Sequence, residues 1–369
     1  MSSAALPRAG RLDCLCEPAV PVSEAGTGPG TGRLALGFAF SILAQVLTLS
    51  VLPLAGLQLA PGEGWASLPL AAFYAGAASA SLPASFLCDA FGRRAALALG
   101  ASLGAAGGIL LALALSTQNF AALLLGGFWL GIAGGFSLFY RHAAVPLGGR
   151  GLEAVALVFG AGTLAGLAAP SVVAFAESLA TPRVFMGAAL AAALAHIGSL
   201  AAAASLPLPR QLNAEEESRP HLRWRPFASA TIAAGASWFL MSALMGAAPI
   251  AMVGCGLGSA VSGVIAWHVV AMYAPALPLA AFGDRVQPVP VLVLGAVLSA
   301  AGLLPFAAGA TETAFAVAAV TLGAGWSLVT VAATGLLHRS HAPRWLLGLH
   351  DMIILAAALL GAAGAGLLA

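Results

Sequence analysis

The sequence contains no lysine: all fifteen basic residues are arginine. Charge of either sign is scarce, at 8% of the 369 residues, where a typical soluble domain carries about 25%. That poverty excludes an ordinary water-soluble surface. A net charge of +2 is too small to suggest nucleic acid as a partner. Cysteine is scarce too. Cys14, Cys16, Cys88 and Cys255 are too few and too scattered for a disulfide framework. Cys14 and Cys16 form a C-x-C pair, but no second ligand cluster accompanies it as a structural metal site requires. The glycines lie inside apolar runs and lack the strand–turn–helix setting of a nucleotide loop. With no nucleophile arrangement or ATPase motif either, neither an enzyme nor a cofactor is expected. The first thirty residues hold no apolar run after a basic cluster, so no cleavable signal peptide is expected.

What the sequence does have is hydrocarbon. Sixty per cent of its residues are hydrophobic, and the mean hydropathy is +0.98. The apolar runs are rich in Ala, Leu and Gly, and they far exceed the roughly 10-residue alternating segments of a membrane barrel. Helices that each cover about 30 Å of bilayer with about 20 residues account for them. Eleven such spans are predicted, at about 34–59, 66–88, 94–115, 119–141, 153–176, 183–206, 227–251, 258–282, 289–308, 313–337 and 346–368. Polar breaks at Ser116 to Asn119 and at Gly254 to Ser259 divide the two longest charge-free stretches. The fold class is therefore an all-α polytopic membrane protein.

The organisation follows from the polar stretches. Residues 1–33 form a Pro- and Gly-rich tail expected to be disordered. A six-helix bundle over 34–206 is followed by a polar linker at 207–226 and a five-helix bundle over 227–369. With the N-terminus in the cytoplasm, every arginine except Arg183 falls on the cytoplasmic side, as the positive-inside rule requires. The C-terminus after the eleventh span then falls in the periplasm. The expected location is a bacterial inner membrane. Asp89 follows the second span and Gly283-Asp284-Arg285 follows the eighth, which hints at parallel six-helix repeats.

Asp89-Ala90-Phe91-Gly92-Arg93-Arg94 resembles the loop signature of the major facilitator superfamily. It keeps the acid and the Gly-Arg-Arg, while Ser85 stands at the upstream Gly position and Ala90 at the first basic position. Further segments are similar to a bacterial branch of facilitator permeases that includes riboflavin-transporter-like members. They are Gly56-Leu57-Gln58-Leu59-Ala60-Pro61, Phe139-Tyr140-Arg141, Pro249-Ile250-Ala251-Met252, Trp267-His268, Gly325-Trp326 and Gly348-Leu349-His350-Asp351. The resemblance implies two rocking bundles, a small organic solute as partner, and a flavin-type solute as the lead. It also implies twelve helices, one more than is read here. A scaffold or assembly factor that keeps the fold without transporting is the alternative reading. The oligomeric state is not legible.

Ionisable and polar groups at membrane depth are the candidate site residues, because burying them in hydrocarbon is costly. His268, in the eighth span, is a candidate for substrate recognition or for carrying a coupled proton. Asp351 is a candidate gate or proton site, or else an N-terminal helix cap. Gln45 is a polar residue in the middle of the first span. Tyr140 and Arg141 close the fourth span, where Arg141 could hold an anionic group or pair with Asp89. Trp129, Trp238, Trp267 and Trp326 could stack a flat ring, and the resemblance favours helices four, seven and ten as cavity walls. The resemblance also assigns gating to Asp89, Gly92, Arg93 and Arg94, and by repetition to Asp284 and Arg285.

Overall fold

The computed structural model describes residues 29–145, 151–207, 221–308 and 311–365. Cys14, Cys16, most of the 1–33 tail and most of the 207–226 linker lie outside the described residues. Among the described residues, ten helices are long and apolar enough to cross a membrane. One of them, Leu68–Ser116, has 49 residues and would run about 74 Å at 1.5 Å per residue. That is more than twice a bilayer core of about 30 Å. It breaks at Gly92, where φ is 81° and ψ is 162°, a backbone region open essentially to glycine alone. Its two limbs, 68–91 and 93–116, are therefore separate crossings, α2 and α3. The sequence predicts a loop here; the chain instead stays helical on both sides of a one-residue hinge.

The other crossings are α1 (Gly30–Leu59), α4 (Phe120–Ala143), α5 (Leu152–Ala180), α6 (Met186–Ala204), α7 (Trp224–Gly254), α8 (Gly258–Phe282), α9 (Pro288–Ala308), α10 (Glu312–Arg339) and α11 (Arg344–Gly364). Side-chain caps fix two of the starts. The N–H of Ala122 donates to Asn119 Oδ1 at 2.9 Å, and that of Ala314 donates to Thr311 Oγ1 at 3.2 Å. Each satisfies a backbone donor that the first helical turn leaves unpaired.

Small residues let the helices approach closely. Gly131 of α4 lies on the backbone at Phe73 of α2, and Gly361 of α11 lies on α7 at Phe239. Helices α1–α6 pack among themselves, as do α7–α11. The two groups meet mainly where α2 touches α11 and where α5 touches α8. A Cβ added at Gly348 of α11 would sit 2.5 Å from Ser85 Oγ of α2. One added at Gly162 of α5 would sit 2.6 Å from the Tyr273 ring of α8. Positions two and eight are six apart, as are five and eleven, so these two contacts are related by exchanging the groups.

The outer surface is apolar, with Leu179 at 74%, Ile232 at 72% and Leu304 at 72% exposure. Water would make such a surface costly, and lipid does not. The chain is a multi-pass membrane protein.

Candidate functional site

Alternating crossings bring Arg33, Arg93, Arg94, Arg141, Arg223, Arg225, Arg285, Arg339 and Arg344 to one end of the molecule, and Arg183 to the other. The two ends differ in packing as well as in charge. A cavity lies between the two helix groups. It reaches from mid-depth toward the arginine-poor end. Gln45 and Leu49 of α1, Phe73 and Tyr74 of α2, Met245 of α7 and Ile265 of α8 wall it. Trp238, His268, Tyr273 and Trp326 line its deep part. No Asp, Glu or Arg is among the lining residues.

An aromatic floor closes the cavity. Trp238 and Trp326 meet at 4.9 Å between ring centroids with planes inclined at 61°. Phe159 of α5 lies 5.5 Å from Trp326 and 5.0 Å from Tyr273. Phe38 of α1 lies 5.7 Å from Phe159 and 5.9 Å from Tyr273. These spacings are those of favourable edge-on and tilted aromatic pairs. The floor joins both groups of helices, because Phe38 and Phe159 come from the first and Tyr273 and Trp326 from the second.

Beneath the floor, toward the arginine-rich end, lies a buried charged cluster. Arg141 of α4 donates to Asp351 of α11, and the two side chains are 1% and 0% exposed. His142 Nε2 is 3.3 Å from the other Asp351 oxygen, and His142 Nδ1 is 3.2 Å from His338 Nε2 of α10. His350 Nδ1 lies 2.9 Å from Thr231 Oγ1 of α7. At the rim, Arg344 donates to Asp89 at 2.8 Å with both side chains half in solvent. Arg93 donates to the Ala143 carbonyl at 3.0 Å, tying the hinge to the end of α4.

The structure distributes the sequence-derived candidates among these layers. Gln45, Trp238, His268 and Trp326 line the cavity. Gln45 donates to Ser137 Oγ at 2.6 Å. Trp129 instead packs on Gly107 within the first group. Trp267 is 63% exposed and sits on the outer, lipid-side surface, one residue from His268 but turned away from the cavity. Tyr140 is buried and its hydroxyl lies 3.0 Å from Ser199 Oγ. Arg141 pairs with Asp351 and not with Asp89, whose partner is Arg344. Asp351 stands seven residues into α11, which opens at Arg344, so it is not a cap on that helix. Arg94 is half-buried beside the hinge and Arg285 is exposed; the Asp284 side chain lies outside the described residues. Sequence reading missed His142, His338, Phe38 and Phe159. The histidines carried a signal, since each sits beside an arginine at the end of an apolar span. The phenylalanines carried none, since phenylalanine fills every membrane core.

Comparison with known proteins agrees with this architecture. The sequence model of the Major Facilitator Superfamily matches residues 34–369. A curated relative, the riboflavin transporter RfnT of Brucella anthropi, is 31% identical over 308 residues, which cover 80% of this chain and 77% of that one. Among solved structures, the human organic anion transporter MFSD10 superposes with a TM-score of 0.66 at 16% identity, covering 92% of each chain. The transporter FucP in its outward conformation superposes with a TM-score of 0.60 at 15% identity, covering 91% of this chain and 90% of that one. Matched by its family over nearly its whole length and sharing that family's helical fold, the chain belongs to the major facilitator superfamily.

Proposed function

We propose that this protein is a permease that moves a small organic solute of flavin type across a bacterial inner membrane by alternating access. The observation that carries the reading is the asymmetry of the central cavity. It is walled by both helix groups, and it is sealed at one end by ion-pair, imidazole and ring contacts that cross between them. Breaking those contacts requires the groups to rock apart, the motion of alternating access. Arginine enrichment makes the sealed end cytoplasmic, so the cavity faces outward in this conformation. On this reading, residues 34–206 and 227–369 are the moving bodies. Asp89, Gly92, Arg93, Arg94, Arg141 and Asp351 form the inner gate, and Gln45, Trp238, His268 and Trp326 face the solute.

The flavin-type solute is supported by the riboflavin-transporting relative and by the flat aromatic rings of the deep cavity. A coupled proton has two candidate carriers, His268 above the aromatic floor and Asp351 below it. Uptake of labelled riboflavin into cells that express the chain tests the reading, with and without a protonophore. Saturable uptake above an empty-vector control is expected, and sensitivity to the protonophore identifies proton coupling. Absence of uptake and of efflux, with the protein present in the membrane, overturns the permease reading for flavins.

A further inference from the structure

Three residues that line the deep cavity each carry a buried polar atom whose hydrogen-bonding capacity is unspent. Trp238 is 6% exposed and Trp326 is 1% exposed, and neither indole N–H has a partner among the described residues. His268, 2% exposed, has its Nδ1 only 2.6 Å from the carbonyl oxygen of Ala319. A carbonyl only accepts, so Nδ1 carries the hydrogen, and in the neutral ring Nε2 is left as an acceptor. That Nε2 has no partner among the described residues either. Buried polar atoms of native proteins are almost always paired. Three unpaired ones on residues that line one cavity point to a ligand that completes them.

The set consists of two donors and one acceptor. Its complement is a group offering two acceptors and one donor, which is the pattern of a cyclic imide: carbonyl, N–H, carbonyl. The remaining deep wall is aromatic and carries no charged side chain, which suits an uncharged planar ring, since a buried charge without a partner is costly. We infer that Trp238, His268 and Trp326 are specificity-determining residues that read the imide edge of an uncharged planar heterocycle. The indole N–H groups donate to its carbonyls and His268 Nε2 accepts from its N–H. This inference rests on the flavin-type reading above and goes beyond it, because it assigns which edge of the ring enters first and which side chains select it.

The test compares riboflavin with 3-methylriboflavin, in which a methyl group replaces the imide hydrogen. Binding to the purified full-length protein in lipid nanodiscs is followed by quenching of tryptophan fluorescence. The unmodified protein is expected to bind 3-methylriboflavin about tenfold more weakly, because the methyl group leaves Nε2 unpaired and blocks its approach. His268→Phe is expected to abolish that preference, so that both flavins bind alike. Trp326→Phe keeps the ring and removes the N–H, and should weaken riboflavin about fivefold. Equal binding of the two flavins by the unmodified protein overturns the imide assignment and leaves the flavin reading intact. Binding of neither flavin overturns the flavin reading, and the imide assignment falls with it. The first comparison needs no variant, so a substitution that fails to fold cannot rescue or sink the inference.

Discussion

The two ends of the cavity bury different chemistry. The half toward the arginine-poor end is lined by aliphatic, aromatic and thioether side chains with a few neutral polar groups. The half toward the arginine-rich end is packed shut around Arg141, His142, His338 and Asp351. Neutral aromatic walls can hold a flat solute without a large desolvation cost. A buried ion pair gives little net stability over an apolar pair but is costly to break one-sidedly. That is a poor way to build a core and a useful way to build a latch, because closure demands one register of α4 against α11. On the permease reading proposed above, the membrane-buried charge serves conformational choice, while recognition is left to rings and neutral hydrogen bonds.

The comparison breaks most severely if one half of the latch is removed. Arg141→Met leaves Asp351 buried without its cation and should cost about 3–5 kcal/mol, seen as a lower midpoint of thermal unfolding in detergent. The double variant Arg141→Met, Asp351→Leu should recover most of that stability while uptake stays abolished. Recovery of both would show that the pair is structural and not a latch. Next comes the hinge. Gly92→Ala forces a Cβ into a conformation that costs about 1–3 kcal/mol, and should lower the yield of folded protein. In the cavity half, Gln45→Leu removes the bond to Ser137 and a neutral polar group from the cavity lining. A rise in the half-saturating solute concentration of about fivefold is expected in uptake assays, with expression unchanged. The exposed Asp89–Arg344 pair is worth below about 1 kcal/mol; Asp89→Asn should shift the thermal midpoint slightly, and less still at high salt. Trp267→Leu, on the lipid side, should change stability by less than about 0.5 kcal/mol and leave uptake as it was.

The legible part of the molecule was the part that composition dictates. Hydrocarbon length fixes the crossings. The polar break at Ser116 to Asn119 became the turn between α3 and α4, with Asn119 as the cap. The hinge at Gly92 was visible as a motif, but its continuous helix was not, because a lone glycine signals a break and says nothing of direction. Within the site, His268, Trp238, Trp326 and Asp351 stand out as polar or aromatic groups in apolar runs. Their partners do not. Arg141 and Asp351 are 210 residues apart in sequence, and only the packing of α4 beside α11 pairs them. Trp267 and His268 are neighbours in sequence that lie on different faces of α8, since successive helical residues are turned by about 100°. Sequence adjacency placed them together, and helical geometry separated them.

Alternating access is tested most directly by asking which side of the membrane reaches the cavity. Met245 lines its wall. Met245→Cys, in a chain whose four native cysteines are replaced, would be exposed to a membrane-impermeant thiol reagent in intact cells and in inverted membrane vesicles. Labelling from the cell exterior alone is predicted for the latched protein, with labelling from the cytoplasmic face appearing once Asp351→Asn is added. Equal labelling from both faces, or labelling that ignores Asp351, would contradict a cavity whose inner end is held shut by the Arg141–Asp351 latch.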